Sequence, residues 1–286
     1  MSQLSVGKEN SQRILSTPSG DRPTASKIVF LDIETCPSLG YVWAKWNTNV
    51  IDFEKNWHLL SFSYKWMGEK EAHVIGLIDY PTYEQDKEDD KALVADLWKI
   101  LDKADIVIAH NGDDFDLPKT NTRLITHGMK PPSPYKTVDT LKIARRVFKF
   151  DSNKLDELGR YLGVGRKLPT TGFHLWRSCM MGDPNAWNTM KEYNKQDVLL
   201  LEQVYFLMRP WAKSHPQVNQ GELLACPKCG SLKVQRRGYS FTAFRKKQRY
   251  QCQECHGWFE GQAVSVTIPK KKEERKCQKK SLNKGM

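Results

Sequence analysis

The chain has 286 residues, of which 39% are apolar and 27% charged, so it is long enough to bury a sizeable core and too apolar to be disordered throughout. Its apolar runs, such as IVFL at 28–31 and VLLL at 198–201, are far shorter than a membrane span, so we expect no transmembrane segment. The formal net charge of +12 is confined to the C-terminal part, because 16 Lys or Arg and four acidic residues lie from Cys226 onward, leaving 29 of each sign in residues 1–225.

The N-terminal third predicts a leader followed by strands. Residues 1–26 are rich in Ser, Pro and Gly, which predicts a flexible leader, and they lack the apolar centre of a secretory signal. We therefore expect a cytoplasmic protein, or one in the host cytoplasm if its source is viral, in which disulfides do not form. KIVFLDIE at 27–34 is typical of a buried strand, and residues 58–66 and 71–78 flank a turn as the arms of a hairpin.

Helices and strands alternate farther along the chain. Apolar residues recur at helical spacing between Leu93 and Leu101, and DIVIAH at 105–110 is typical of another buried strand. This order predicts a layered α/β or α+β domain. Residues 209–222 contain two prolines and polar filler, which predicts a linker. The remaining predicted elements are a short strand at 136–138 and helices at 115–127, 139–147, 153–162 and 185–208.

Four acidic residues stand out by their positions. Asp32 and Glu34 lie two apart at the end of the first strand, so both side chains point to the same side of it. Asp116 follows the strand at 105–110, where strand ends of open α/β sheets form ligand sites. Asp197 lies on the stripe of the last helix that packs against the domain. Taken singly, Asp32 could belong to a turn, Asp116 could cap a helix, and Asp197 could pair with a helix neighbour.

Together, the segments FLDIET, NGDDFD and YNKQD resemble the three motifs of the DEDD (DnaQ-like) 3′-to-5′ exonucleases, which belong to the ribonuclease-H-like superfamily. The resemblance implies a ribonuclease-H-like mixed sheet flanked by helices over residues 27–208. Glu192 stands where a sister group of these enzymes has His, so the tyrosine type is favoured. The family patterns D-x-E, N-x-x-x-[FY]-D and Y-x-x-x-D are matched by Asp32 and Glu34, by Asn111, Phe115 and Asp116, and by Tyr193 and Asp197.

The resemblance implies a catalytic metal centre on the four acidic residues. Carboxylate oxygens without neighbouring Cys or His ligands favour Mg²⁺ or Mn²⁺ over zinc, and the family uses two such ions to clamp the scissile phosphate. Tyr193, one turn before Asp197, can reach the attacking water, although a core tyrosine would occupy the same place. In similar enzymes the backbone of Thr35 contacts the terminal nucleotide, and Asn111 either positions the strand or caps a turn.

Two C-x-x-C pairs, separated by 22 residues, lie near the C-terminus. This spacing is the signature of one tetrahedral structural zinc ion in a zinc ribbon, and a segment of about thirty residues needs such a metal to fold. A redox C-x-x-C pair is the alternative, and His256 is a substitute ligand. The expected ligands are Cys226, Cys229, Cys252 and Cys255.

The segment between the two pairs is basic and aromatic. Cations neutralise phosphates and aromatic rings stack on bases, so this composition suits single-stranded nucleic acid, and the segment resembles the zinc ribbons of insertion-sequence transposases. A ribbon that binds only protein, or a solvated charged surface, is the alternative. The lysine-rich residues 263–286 predict a basic tail. The candidate nucleic-acid-binding cations are Arg236, Arg237, Arg245, Lys246, Lys247 and Arg249.

These features predict an exonuclease domain over 27–208 followed by a zinc ribbon over 223–262. The predicted activity is two-metal hydrolysis at single-stranded or frayed 3′ ends of DNA, and a proofreading role would require a polymerase or another replication or repair protein as partner. One alternative is an RNA 3′ exonuclease, because the motif residues contact phosphate and metal rather than the sugar. The other is a non-catalytic nucleic-acid-binding protein on a nuclease-like fold, which the complete set of four carboxylates disfavours.

Overall fold

A five-stranded mixed sheet forms the centre of the computed structural model, which describes residues 26–46, 48–218, 224–242 and 245–265. With strands numbered along the chain, the spatial order is the fifth, fourth, first, sixth and seventh. The central strand runs antiparallel to the fourth and parallel to the sixth, and the sixth and seventh are also parallel. The five strands are β1 (Ile28–Thr35), β4 (Leu59–Trp66), β5 (His73–Gly76), β6 (Ile106–Ala109) and β7 (Lys136–Asp139).

In the described part of the chain, six α-helices cover this sheet. The first follows the acidic stretch before Lys91, and the longest carries the apolar stripe around Asp197. None of the helices in the described part of the chain has the length and apolar character needed to cross a bilayer. The helices are α1 (Lys91–Lys103), α2 (Asp116–Thr126), α3 (Thr140–Val147), α4 (Leu155–Leu162), α5 (Phe173–Met181) and α6 (Pro184–Met208).

The alternation of side chains along β1 divides the core into two layers. Val29, Leu31 and Ile33 pack on one face of the sheet with α1, α2, α5 and the first half of α6. Ile28 and Phe30 pack on the other face with α3, α4 and the second half of α6. Both faces of β1 are therefore buried, as its continuous apolar sequence requires.

Most of the predicted elements are confirmed, and two regions were missed. The strands at 27–34, 58–66, 105–110 and 136–138 are present, as are the predicted helices, with ends that shift by up to a few residues. The arm predicted at 71–78 is shorter, because β5 ends at Gly76 and a 3-10 helix follows. Helix α5 was not predicted from the sequence.

A small hairpin between β1 and β4 was not predicted either. Its strands are β2 (Leu39–Tyr41) and β3 (Asp52–Lys55), which pair with each other and not with the central sheet. Trp43 and Trp46 lie in its described residues and are largely exposed.

A separate three-stranded antiparallel sheet lies near the C-terminus. It consists of β8 (Val234–Phe241), β9 (Arg245–Cys252) and β10 (Trp258–Ser265), with β9 in the centre. Before it, the segment predicted as a linker continues α6 with a 3-10 helix and then buries Ala212 and Val218. The predicted leader, apart from Ser26, and the basic tail, apart from residues 263–265, lie outside the described residues.

Candidate active site

The last residues of β1 direct carboxylates to one face of the sheet. Asp32 and Glu34 continue the face that bears Ile28 and Phe30, because side chains alternate along a strand. On the neighbouring strand β4, they pair in register with Ser63 and Ser61. These small polar side chains leave room for α6, which crosses β1 and β4 at this point.

Helix α6 brings a third carboxylate to this pair. Carboxylate oxygens of Asp32, Glu34 and Asp197 all lie within 4.8 Å of one another, although Asp197 is 163 residues beyond Glu34 in the chain. We refer to these three residues as the carboxylate cluster. Asp197 is completely buried, and its Oδ1 has no hydrogen-bond partner within the described part of the chain.

The fourth predicted carboxylate, Asp116, lies next to the cluster but is oriented differently. It is buried at the first position of α2, and its Oδ1 accepts a hydrogen bond of 3.0 Å from the backbone N–H of Ile33, between the two acidic residues of β1. The helix cap is Phe115, so the alternative that Asp116 caps this helix is wrong. Asp116 is not among the residues whose oxygens meet within 4.8 Å, but its charge raises the pKa of Asp32.

Two polar residues that sequence reasoning missed hold the cluster in place. Asn194, completely buried on α6, donates from Nδ2 to Asp32 Oδ2 at 2.6 Å. The amide oxygen of Asn194 in turn accepts a hydrogen bond of 3.1 Å from Ser61. Trp176 on α5 donates from its indole N–H to Glu34 Oε2 at 3.1 Å. The two neutral donors restrain the carboxylates without cancelling their charge.

A lysine missed by sequence reasoning supplies positive charge at the cluster. Lys167 Nζ lies 2.5 Å from Asp197 Oδ2 and 3.1 Å from the hydroxyl of Tyr193, so Asp197 pairs with a cation from a loop rather than with a helix neighbour. Burial opposes the charge of Lys167, but Asp197 and Asp32 raise its pKa above the usual range. The two carboxylates therefore favour the ammonium form of Lys167.

Burial and mutual repulsion make the metal-free carboxyls unusually basic. Burial, and then the charges of Asp197 and Asp116, raise the pKa of Asp32 well above its usual range. Burial and the charge of Asp197 raise the pKa of Glu34 to about 8, and burial raises that of Asp116 to about 7. Burial also raises the pKa of Asp197, while Lys167 counteracts the shift. Such shifts are common at functional sites.

The donor set fits a divalent cation that binds oxygen ligands. Mg²⁺ and Mn²⁺ prefer hard carboxylate oxygens, and the cluster offers three carboxylates at close range. Among the described residues, no group forms a hydrogen bond with the buried Asp197 Oδ1, which is therefore suited to coordinate such an ion. Asp32, Glu34 and Asp197 are the residues that would hold it, with Asp116 beside them.

The loop after β6 places the predicted strand-binding residue Asn111 near Asp116. Asn111 adopts a left-handed conformation with φ of 68°, and its backbone N–H donates to Asp139 Oδ1 at 3.0 Å. A Cβ at Gly112 would lie 2.3 Å from the Cβ of Ala109, so only glycine fits there. Thr35, the other predicted nucleotide contact, is half-buried where the pairing of β1 with β4 shifts register.

Four cysteines form a second candidate metal site. The Sγ atoms of Cys226 and Cys255 lie 3.7 Å apart, and those of Cys229 and Cys252 lie 3.6 Å apart. A tetrahedral zinc ion with Zn–S bonds of about 2.3 Å separates its sulfurs by about 3.8 Å, so the four thiols fit one ion. All four ligand atoms meet within 4.8 Å, and His256 is exposed outside the group.

The cysteine site packs against the end of α6. Lys228, between the first two cysteines, is buried and donates from Nζ to the carbonyl of Pro210 at 2.5 Å. Val218 N–H donates to the carbonyl of Pro227 at 2.9 Å. The cysteine site is thus joined to the segment that directly follows the helix carrying Asp197.

The predicted nucleic-acid-binding cations lie on β8 and β9. Lys246 Nζ is 3.8 Å above the ring of Tyr239, and Lys247 pairs with Glu260 at 2.9 Å. The other four, Arg236, Arg237, Arg245 and Arg249, are exposed. None of these four forms an ion pair with a described residue, so they are available to phosphates.

A family model described as the RNase H superfamily matches residues 66–209. The chain belongs to the RNase H superfamily. The ribonuclease-H-like fold that the sequence predicted, with its mixed sheet flanked by helices, is therefore confirmed. The matched segment of this RNase H superfamily member contains Asp116, Lys167 and Asp197, whereas Asp32 and Glu34 precede it.

Among solved structures, this RNase H superfamily member is similar to a family B DNA polymerase from the hyperthermophilic archaeon Pyrobaculum calidifontis, with 15% sequence identity and a TM-score of 0.46. The match covers 68% of this chain and 26% of the polymerase chain, so the chain spans about a quarter of that protein's length. No curated protein matches the chain.

Magnesium is expected to stabilise the protein more at about pH 8.5 than at about pH 6. With pKa values of about 8 for Glu34 and about 7 for Asp116, both carboxyls hold protons at the lower pH. In the metal-free protein, these bound protons contribute to the free energy of unfolding, and this contribution is lost as the pH rises through the two pKa values. Above them the carboxylates are ionised, and a bound cation can supply the stabilisation instead. The measurement is the rise in melting temperature on adding MgCl₂, with KCl of equal ionic strength as control. Equal shifts at both pH values would contradict this assignment.

Proposed function

We propose that the chain is a metal-dependent 3′-to-5′ exonuclease of the tyrosine-type DEDD group, acting on DNA 3′ ends by a two-metal-ion mechanism. The observation that carries the proposal is the meeting of Asp32, Glu34 and Asp197 within 4.8 Å, with Asp116 buried beside them. The motif order and the RNase H superfamily membership support the same reaction class. The 3′ polarity and the choice of DNA rest on the motif resemblance.

We assign a separate role in phosphodiester hydrolysis to each group of residues in the site. When bound, two Mg²⁺ or Mn²⁺ ions supply the charge that activates water and stabilises the leaving 3′ oxygen. Asn194 and Trp176 hold Asp32 and Glu34 in fixed positions for that purpose. Tyr193 lies one turn before Asp197, and its hydroxyl is held by Lys167, which suits it to orient the attacking water.

The strand end is proposed to be held by the loops around the cluster. Thr35 continues directly from Glu34 on β1, and Asn111 lies five residues before Asp116 in the loop that Asp139 fixes. Both are close enough in the chain to the carboxylates to contact a terminal nucleotide.

We further propose that residues 223–262, which contain the four cysteines and most of the C-terminal sheet, form a zinc ribbon that binds the nucleic acid. Its support is the tetrahedral spacing of four thiols and the exposed arginines on β8 and β9. The body over 27–208 then carries the chemistry, and the ribbon and basic tail add affinity through phosphate contacts.

Replacement of either Asp32 or Asp197 is expected to abolish activity. Asp32→Asn or Asp197→Asn should reduce Mg²⁺-dependent degradation by about 10³-fold or more, because each removes a metal ligand while keeping side-chain size. Asp114→Asn is the matched control, since Asp114 lies in the same acidic loop as Asp116 but is exposed. The assay follows 5′-labelled DNA and RNA strands on gels with Mg²⁺, Mn²⁺ or EDTA.

The form of the product separates the possible outcomes of that assay. A ladder of labelled fragments that shorten one nucleotide at a time supports 3′-to-5′ digestion, whereas immediate release of a labelled mononucleotide indicates the opposite polarity. Comparison of the DNA and RNA lanes identifies the substrate. Absence of metal-dependent cleavage in the wild type, or full activity of both variants, would refute the proposal.

Zinc removal is expected to affect binding more than turnover. Loss of the ion unfolds the small ribbon and withdraws its arginines from the strand, so KM should rise at least about tenfold while kcat on saturating DNA changes less than about threefold. KM and kcat are measured for untreated protein and for protein from which zinc has been removed with a chelator, with Mg²⁺ added back after the chelator is removed. Unchanged KM after verified zinc loss would show that the ribbon does not hold the substrate.

A further inference from the structure

Four aromatic rings form a continuous series on the face of the sheet covered by α3 and α4. The ring centroids of Trp211 and Phe148 are 5.9 Å apart, those of Phe148 and Phe150 are 5.2 Å apart, and those of Phe150 and Tyr161 are 5.3 Å apart. We call these four residues the aromatic ladder. Its members come from three different segments of the chain, so the fold assembles it.

The ladder is open to solvent at both ends. Trp211 is 62% exposed and Tyr161 is 65% exposed, whereas the two phenylalanines between them are half-buried against the core. Rings with this exposure are poorly explained by core packing alone, because burial of a large aromatic side chain normally contributes to stability. Exposed aromatic series of this kind mark binding surfaces.

Uncompensated positive charge accompanies the ladder. Arg145 and Arg146 end α3, Lys149 lies between the two phenylalanines, and all three are exposed. Among the described residues none of these cations forms an ion pair, whereas nearby Arg160 pairs with Glu157. The ladder therefore combines stacking surfaces with cations that have no anionic partner.

The segments that carry the ladder contact both parts of the molecule proposed to bind the substrate. At one end, the carbonyl of Asn153, three residues after Phe150, accepts a hydrogen bond of 3.0 Å from His110, which precedes the strand-binding loop residue Asn111. At the other end, Trp211 follows Pro210, whose carbonyl is bound by Lys228 of the cysteine site. The segments that carry the ladder are thus linked by hydrogen bonds to both proposed contact regions.

We propose that the aromatic ladder is a track for single-stranded nucleic acid that connects the zinc ribbon with the carboxylate cluster. This inference rests on the proposed function, because it identifies where the strand behind the 3′ end lies. Bases would stack on Trp211 and Tyr161, and phosphates would contact Arg145, Arg146 and Lys149. Aromatic rings and unpaired cations together match a polyanion with flat bases.

A protein partner matches this surface less well. Protein interfaces are also enriched in aromatic rings and arginine, so the charge balance is what separates the two occupants: the three exposed cations form no ion pair with a described residue, and a polyanion would supply their partners. The aromatic hairpin around Trp43 differs in this respect, because its two lysines, Lys45 and Lys55, are matched by Asp52 and Glu54. Charge complementarity therefore favours nucleic acid at the ladder.

The test measures strand binding without cleavage, so that it does not depend on the proposed activity. Anisotropy of labelled DNA strands of about 6 and about 20 nucleotides is recorded without added Mg²⁺ or Mn²⁺ and without a chelator, so that the cysteine site keeps its metal, over a range of salt concentrations. One variant combines Trp211→Ala with Tyr161→Ala, and a second combines Arg145→Glu, Arg146→Glu and Lys149→Glu. Melting temperatures verify that each variant is folded.

The charge-reversed variant has a matched control on the opposite layer of the protein. Lys91→Glu, Lys103→Glu and Lys130→Glu change the net charge by the same amount at exposed positions of α1 and the segment after α2. This control should bind the long strand with nearly wild-type affinity, because its substitutions lie away from the proposed track. The change in net charge is the same in both variants, so a difference between them reports the local contacts.

The two ladder variants are expected to lose affinity mainly for the long strand. Removal of the two rings should weaken binding at least about tenfold, given about 1–3 kcal/mol for each stacked base. Reversal of the three cations should reduce the slope of log affinity against log salt by about 2, since single strands lose about 0.7 for each phosphate contact.

The proposal is overturned if folded ladder variants keep the wild-type preference for the long strand, which would indicate a surface for another partner. It is also overturned if the charge control loses as much affinity as the charge-reversed ladder. Failure of the nuclease proposal appears separately, as absence of cleavage by wild-type protein, and leaves the binding result interpretable.

Discussion

Repulsion between buried carboxylates governs the architecture of this site. At an effective dielectric constant of about 20, two charges less than 5 Å apart repel by about 3 kcal/mol, and burial adds a further cost. Asp32, Glu34 and Asp197 meet within 4.8 Å, and Lys167 contributes an ammonium in contact with one of them. The raised pKa values of Asp32 and Glu34 reflect the same excess of negative charge, because in the absence of cations bound protons reduce it. A site that tolerates this crowding is suited to bind divalent cations.

The rest of the fold keeps these groups together. Strand β1 is buried on both faces in the middle of the sheet, so its last residues cannot move apart, and α6 crosses it at Asp197. Asn194 ties that helix to Asp32 and, through its own carbonyl and side chain, to Ser63 and Ser61. The same helix ends against the buried Lys228 of the cysteine site. The C-terminal end of α6 is thus connected to the cysteine site through the 3-10 helix that follows it.

The sequence predicted the parts of this arrangement that follow from local pattern. Apolar runs located β1 and β6, helical spacing located α6, and the carboxylates were found because their motifs are short and ordered. Three residues that contact the carboxylates were missed: Lys167, Asn194 and Trp176. Each lies in a different part of the fold from the carboxylate that it contacts, so no spacing in the sequence connects the two. Helix α5 was missed for a related reason: six of the nine residues in its sequence FHLWRSCMM are apolar and do not form a clear helical stripe. The orientation of Asp116 toward Ile33 N–H likewise depends on tertiary packing.

Diffraction from crystals soaked in Mn²⁺, recorded near the manganese absorption edge, tests most directly whether the crowded carboxylates bind divalent ions. The account predicts anomalous peaks within about 2.2 Å of oxygens of Asp32, Glu34 and Asp197, including the unpartnered Asp197 Oδ1. Two peaks would match the two-ion mechanism. Crystals that show anomalous signal at the cysteine site but none between these three carboxylates would contradict it.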